Sequence, residues 1–198
     1  LELMPLNANV HIVDIPLTNT AKDTAAAMHL FKEAGCHTVV SLGGDGTNRA
    51  LVRADSAIDL VPISTGTNNV FPTLMEPTLG GMVAGLNALG KTTGMPESLR
   101  PRAKVAHLQT PTQTDIGLID VVLLRRDHVG NLLPFDADRL DAMLLTRAEP
   151  NAVGMSPIGG FIDPVYAHDD YGLWVQMGRD GRIVRAPLSP GHFRDVAV

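Results

Sequence analysis

Along the first half of the chain, apolar positions switch between strand-like and helix-like spacing. Asn9 to Asp14 sets Val10, Ile12 and Val13 among polar neighbours and predicts a strand. Thr20 to Ala34 predicts a helix, with Thr18, Asn19 or Thr20 as its N-cap and Gly35 as its stop. His37 to Leu42 is a short apolar run bounded by glycine, a pattern expected of a parallel strand buried on both faces. A helix is expected over Thr47 to Ala54, a strand over Asp59 to Ser64, and a further helix over Glu76 to Leu89, closed by Gly90. Strands alternating with helices in this order imply a parallel sheet covered by helices.

The second half is patterned differently. Lys91 to Pro101 carries Thr93, Gly94, Pro96, Ser98 and Pro101 with little apolar content, so the domain junction is placed there, between residues 1–92 and 102–198. Short apolar runs follow at Ala103 to Leu108, Ile116 to Leu124, Ala142 to Leu145, Leu173 to Met177 and Ile183 to Ala186, each predicting a strand. Arg179-Asp180-Gly181 reads as the tight turn of a hairpin joining the last two. The expected fold class is therefore α/β: a Rossmann-like domain with a parallel sheet, then a mainly antiparallel β domain. The first clear strand comes only near Val10 to Ile15 and the chain opens on Leu1, so the first domain is expected to lack its front.

Composition narrows the classes of function. The chain has 198 residues, 44% hydrophobic and 19% charged, enough for a sizeable core. A formal net charge of −5 and a pI near 5.7 argue against nucleic acid as a partner, because phosphate backbones are held by many Lys and Arg contacts. The single cysteine, Cys36, excludes an intrachain disulfide and is expected as a small core residue in a reducing compartment. No apolar run reaches the roughly 18 residues that cross a bilayer, and no basic-then-apolar leader opens the chain, so a cytoplasmic protein without membrane contact is expected.

Candidate chemistry lies in two polar turns. Gly43-Gly44-Asp45-Gly46-Thr47 stands between a strand and a helix, where unpaired N–H groups and the helix dipole favour an anion. Glycine there lets the backbone meet a phosphate without a Cβ in the way. The second turn, Ser64 to Asn69, ends the next strand, so both are expected at the carboxyl edge of one sheet, where open α/β folds bind ligands. Asp45 reads as a base, as a Mg²⁺ contact, or as a hydrogen-bond acceptor for its own turn. Asn68 and Asn69 offer amide groups for a ribose hydroxyl or a phosphate oxygen, or serve as turn caps.

Val39 to Arg49, with Gly43-Gly44-Asp45-Gly46-Thr47 at its centre, followed by Pro62 to Pro72, resembles the ATP-NAD kinase superfamily, which shares this signature with diacylglycerol kinases. Leu145 to Pro150 running into Val153 to Gly160 resembles its acetoin-catabolism protein X branch. The resemblance covers most of the chain and implies ATP as donor, magnesium as companion ion, and a cleft between the two domains as active site. It implies Asp45 as the base that takes the proton of the attacking hydroxyl. Gly43, Gly44, Gly46 and Thr47 would hold phosphate, and Thr67, Asn68 and Asn69 would line the opposite wall. Ser156, Gly159 and Gly160 match the serine and glycines with which relatives close the cleft, and a homo-oligomer is implied. NAD kinases carry an Asn-Glu pair where this chain has Ile119 and Asp120. Isoleucine offers no amide, which weighs against NAD as phosphoryl acceptor and leaves Asp120 to contact some other hydroxyl-bearing ligand.

Other signals carry less. Gly85 to Thr92 matches the P-loop letter pattern but follows a predicted helix instead of a strand, so Gly90 is read as a helix C-cap with Lys91 near the negative dipole end. The histidines, including His11, His29, His107, His128 and His168, form no pair at metal-ligand spacing. The leading expectation is phosphoryl transfer from ATP to a hydroxyl of a small metabolite or cofactor. A nucleotide or cofactor sensor without chemistry stands beside it, and a lipid kinase behind it, since Arg100, Arg102 and Lys104 are the only modest basic group.

Overall fold

The computed structural model describes residues 9–96, 98–126, 137–178 and 180–198. His128 and Arg179 lie outside them.

Helix α1 (Ala21–Glu33) starts where the Thr20 hydroxyl accepts the Lys22 N–H. It ends before Gly35, whose φ of 75° favours a residue without a Cβ. Strand β1 (Thr38–Gly43) leads into α2 (Asp45–Ala54), and β2 (Asp59–Ser64) pairs with β1 in parallel, Gly43 beside Ser64. Helix α3 (Pro77–Ala88) is capped by the Glu76 carboxylate on the Leu79 N–H. It stops at Gly90, whose φ is 68°, with the Lys91 N–H returning to the Leu86 carbonyl.

In the second half, β3 (Ala106–Gln109) and β4 (Thr114–Gly117) form one hairpin. Strands β5 (Asp120–Leu124), β6 (Leu140–Leu145) and β7 (Leu173–Gln176) form an antiparallel sheet in that order. Strands β8 (Ile183–Ser189) and β9 (His192–Ala197) pair as a second hairpin. A single helical turn, α4 (Ser156–Gly160), lies between β6 and β7. The molecule is a mixed α/β protein of small, mostly antiparallel sheets.

Several expectations are corrected. Residues 9–14 form no strand, so the described parallel sheet has two strands and is not an extended Rossmann-like sheet. Strand β1 is not buried on both faces. Val39 and Ser41 are inside, whereas Val40 and Leu42 are 41% and 65% exposed. The run Ile116 to Leu124 breaks into β4 and β5 around Leu118 and Ile119. The expected hairpin of β7 with β8 does not form: β7 pairs with β6, and β8 takes β9, a strand the apolar pattern of His192 to Ala197 conceals. Cys36 is exposed, in the loop after α1.

Met143, Leu145, Ala148, Ile158, Val165, Ala186 and Val196 make the main core in the second half, while Met28, Val39 and Leu51 form a smaller one between α1, α2 and β1. Between the halves run Arg49, whose Nε donates to the Ile116 carbonyl at 2.6 Å, and Arg147, whose Nη1 donates to the Val70 carbonyl at 2.9 Å.

Candidate functional site

Strands β1 and β2 are parallel and in register, so the turns that follow them emerge side by side. The first is shaped from below by a buried polar chain. The Ser41 hydroxyl donates to Asn48 Oδ1 at 2.6 Å, and Asn48 Nδ2 donates to the Gly44 carbonyl at 2.8 Å. Asn48 is fully buried, and its amide is satisfied on both sides. It is a structural residue of the turn that the sequence reading passed over; a polar residue one turn into an otherwise apolar helix face was the available signal.

The two turns are tied to one another. Asp45 Oδ1 and Oδ2 accept the Val70 N–H at 3.2 and 3.0 Å, and Oδ1 accepts the Phe71 N–H at 2.8 Å. In return Asn69 Oδ1 accepts the Asp45 N–H at 3.3 Å, and Asn69 Nδ2 donates to the Ser64 hydroxyl at 2.9 Å. These bonds also explain two glycines. A Cβ on Gly44 would sit 2.5 Å from Asn69 Oδ1, and one on Gly43 would sit 2.6 Å from the Thr47 hydroxyl. Gly46 differs: a Cβ there would meet nothing within 4 Å. The N–H groups of Gly46 and Thr47, at the start of α2, find no acceptor among the described residues.

The turn pair opens on a cavity of about 440 Å³ between the halves of the molecule. Asp45, Gly46, Arg49 and Asn68 line it from the first half, and Asp120 at the start of β5 lines it from the second. The rest of the wall is largely apolar, with Val122, Leu124, Met155 and Leu188. Arg49 is held by the Ile116 carbonyl and by an ion pair to Asp115 at 2.5 Å. The Asp120 carboxylate has no hydrogen-bond partner among the described residues. Burial, and then the negative charge of Asp45, raise its pKa to about 6. An ordinary carboxylate is ionised at a pH about two units lower.

The structure thus gathers Asp45, Gly46, Asn68 and Asp120 at one cavity, while Gly43, Gly44, Thr47 and Asn69 lie in the same two turns without lining it. Thr67 is exposed on the second turn. Ser156, Gly159 and Gly160 do not line the cavity. The buried Ser156 hydroxyl donates to the Arg147 carbonyl and accepts the Glu149 N–H, both at 2.9 Å. A Cβ on Gly159 would collide with Leu145, and one on Gly160 would come 2.5 Å from the Pro150 nitrogen. Their work is packing α4 under β6. Among the described residues no group of three or more His, Cys, Asp or Glu side chains is placed to hold a metal ion. No described helix is long and apolar enough to cross a membrane.

A strand pair with two joined polar turns, facing an antiparallel half across a carboxylate-bearing cavity, defines a mixed α/β protein with a cavity between its two halves. Residues 104–198 match the family described as the acetoin catabolism protein X C-terminal domain. The chain is also 32% identical over 195 residues, 96% of its length, to the acetoin catabolism protein X of Cupriavidus necator. It spans about half of that relative, 54% of its length. No solved structure matches the chain.

Proposed function

We propose that this chain carries the phosphoryl-transfer site of a protein acting in acetoin catabolism, passing the γ-phosphoryl group of Mg·ATP to a hydroxyl of a small metabolite. The observation that carries the reading is the union of the two turns through Asp45 and Asn69 at the carboxyl ends of β1 and β2, above a cavity that also holds Asp120. The catabolic setting rests on the name of the relative from Cupriavidus necator.

The free N–H groups of Gly46 and Thr47 at the helix start are suited to phosphate oxygens, and Thr67 and Asn68 lie on the facing turn. Asp45, with its carboxylate engaged by the Val70 and Phe71 N–H groups, holds the facing turn in position. With no cluster of three or more metal-ligating side chains among the described residues, the ion would arrive with the nucleotide and neutralise charge on its phosphates. The chain's contribution is then positioning and a preorganised set of donors.

The test is ADP release from Mg·ATP by the full-length protein, with NAD, NADH and a panel of hydroxylated metabolites, and with Asp45→Ala as control. Turnover lost in Asp45→Ala supports a phosphotransferase. A second reading, a nucleotide sensor without chemistry, draws on the filling of the space over Gly43 and Gly44 by the side chains of Thr47 and Asn69. Calorimetric binding of ATP with no ADP released for any acceptor selects it.

A further inference from the structure

We propose that the acceptor is an uncharged aliphatic alcohol and that Asp120, in place of Asp45, is the catalytic residue that takes its hydroxyl proton; the inference rests on the phosphoryl-transfer reading above. Three observations carry it. First, the two carboxylates of the cavity are unlike in their bonding. Asp45 spends its oxygens on two backbone N–H groups, and a proton placed there would displace bonds that hold the second turn. Asp120 has no such partners among the described residues, so its lone pairs are available to a ligand.

Second, the wall around Asp120 is apolar: Val122 and Leu124 from its own strand, Met155 from the loop before α4, and Leu188 from β8. These side chains suit a carbon skeleton whose hydroxyl lies at Asp120. Third, the cavity's described cation, Arg49, is already engaged by Asp115 and the Ile116 carbonyl, which leaves no free described positive side chain there for an acceptor carboxylate or phosphate. An anionic acceptor would meet the carboxylates of Asp45 and Asp120, with the one described cation of the wall, Arg49, already shared with Asp115.

The reaction balances simply. The alcohol oxygen forms a bond to the γ-phosphorus as the bond from that phosphorus to the β–γ bridging oxygen breaks, and its electron pair leaves on ADP. The hydroxyl proton passes to the Asp120 carboxylate and then to solvent. A base titrating near 6 is ionised at physiological pH yet basic enough to draw the proton. The charged groups that share the cavity with it, Asp45 and Arg49, both come from α2; β5, β8 and the loop before α4 present apolar side chains there.

The experiment compares hexane-1,2-diol with 2-hydroxyhexanoate as acceptors for the full-length protein, following ADP release from Mg·ATP between pH 5 and 8. It is run on the wild type, Asp120→Asn and Asp120→Glu. The expected result is turnover of the diol at least tenfold above the hydroxy acid, and a kcat that rises with pH through an apparent pKa near 6. Asp120→Asn is expected to lose at least a hundredfold in kcat and the rise with pH, while Asp120→Glu recovers part of both. A preference for the hydroxy acid overturns the substrate class. Turnover that survives Asp120→Asn with its pH profile intact overturns the assignment of the base while leaving phosphoryl transfer standing. Absence of ADP release from wild-type protein with every acceptor overturns the phosphoryl-transfer reading and this inference with it.

Discussion

The two halves of the molecule are held together by different forces. In the second half, Met143, Leu145, Ala148, Ile158, Val165 and Ala186 are completely buried, joining β6, β7, β8 and α4 in one continuous apolar core. In the first half the core is Met28, Val39 and Leu51, and apolar side chains remain outside: Val40 and Leu42 on β1, and Leu79, Met82 and Val83 on α3. What organises the first half around the cavity is polar: Ser41 with Asn48, Asp45 with Val70 and Phe71, Asn69 with Ser64, and Arg147 reaching across to the Val70 carbonyl. Apolar burial is non-directional and supplies stability, whereas these bonds fix where particular N–H groups and carboxylates stand. Apolar burial and directed polar bonding are thus concentrated in different halves, with the cavity at their seam.

The largest effect that would sharpen this contrast is expected from Leu145→Ala. It empties a site at the centre of the second core and should cost about 2–5 kcal/mol, read from urea unfolding. The matching change on the first half, Leu42→Ala, removes a side chain that is mostly solvated and should stay within about 0.5 kcal/mol. Equal losses in the two variants would break the comparison.

A smaller change of opposite sign is expected at the seam. The pKa of Asp120 rises from 3.8 in the unfolded chain to about 6 in the folded one, so the native state binds this proton more tightly. Stability from this group is therefore greatest below pH 4 and falls as pH rises toward 6, a loss of about 3 kcal/mol once the native carboxylate is ionised. Asp120→Asn should remove that fall, giving a higher Tm than wild type at pH 7.5 and the same Tm near pH 3.5. Parallel melting curves for the two proteins across that range would show that Asp120 is not desolvated by the fold.

A loss smaller than that of Leu145→Ala is expected from Arg147→Ala. It removes the bond to the Val70 carbonyl and the guanidinium that lies 5.4 Å from the centre of the Phe71 ring, for about 1–2 kcal/mol. Hydrogen exchange should quicken at Val70 and Phe71 while β6 and β8 stay protected. Uniform loosening of both halves would mean that Arg147 supports the global fold and not the turn.

Much of the local structure was legible in the residues. The Thr20 cap, the stops at Gly35 and Gly90, the bounds of β2 and the two polar turns all follow from chemistry acting within a few positions along the chain. The turns' mutual bonding was not legible, because Asp45 and Phe71 stand 26 positions apart and nothing local sets their distance. Nor was the role of the glycines at 43 and 44, which make room for Thr47 and Asn69. The same limit explains why β7 and β8 were read as partners: an apolar run declares a strand, not the strand it will join.

By itself, then, the sequence determined the elements with strong short-range signals, the antiparallel character of the second half and the two polar turns, since caps, turns and periodicity are properties of neighbouring positions. Tertiary structure alone decided which faces are buried, which strands pair, and that Asp45 is bound while Asp120 stands free in an apolar wall. Burial and electrostatic field depend on what distant segments place around a group, and an aspartate's proton affinity is set there, not by its neighbours in the chain.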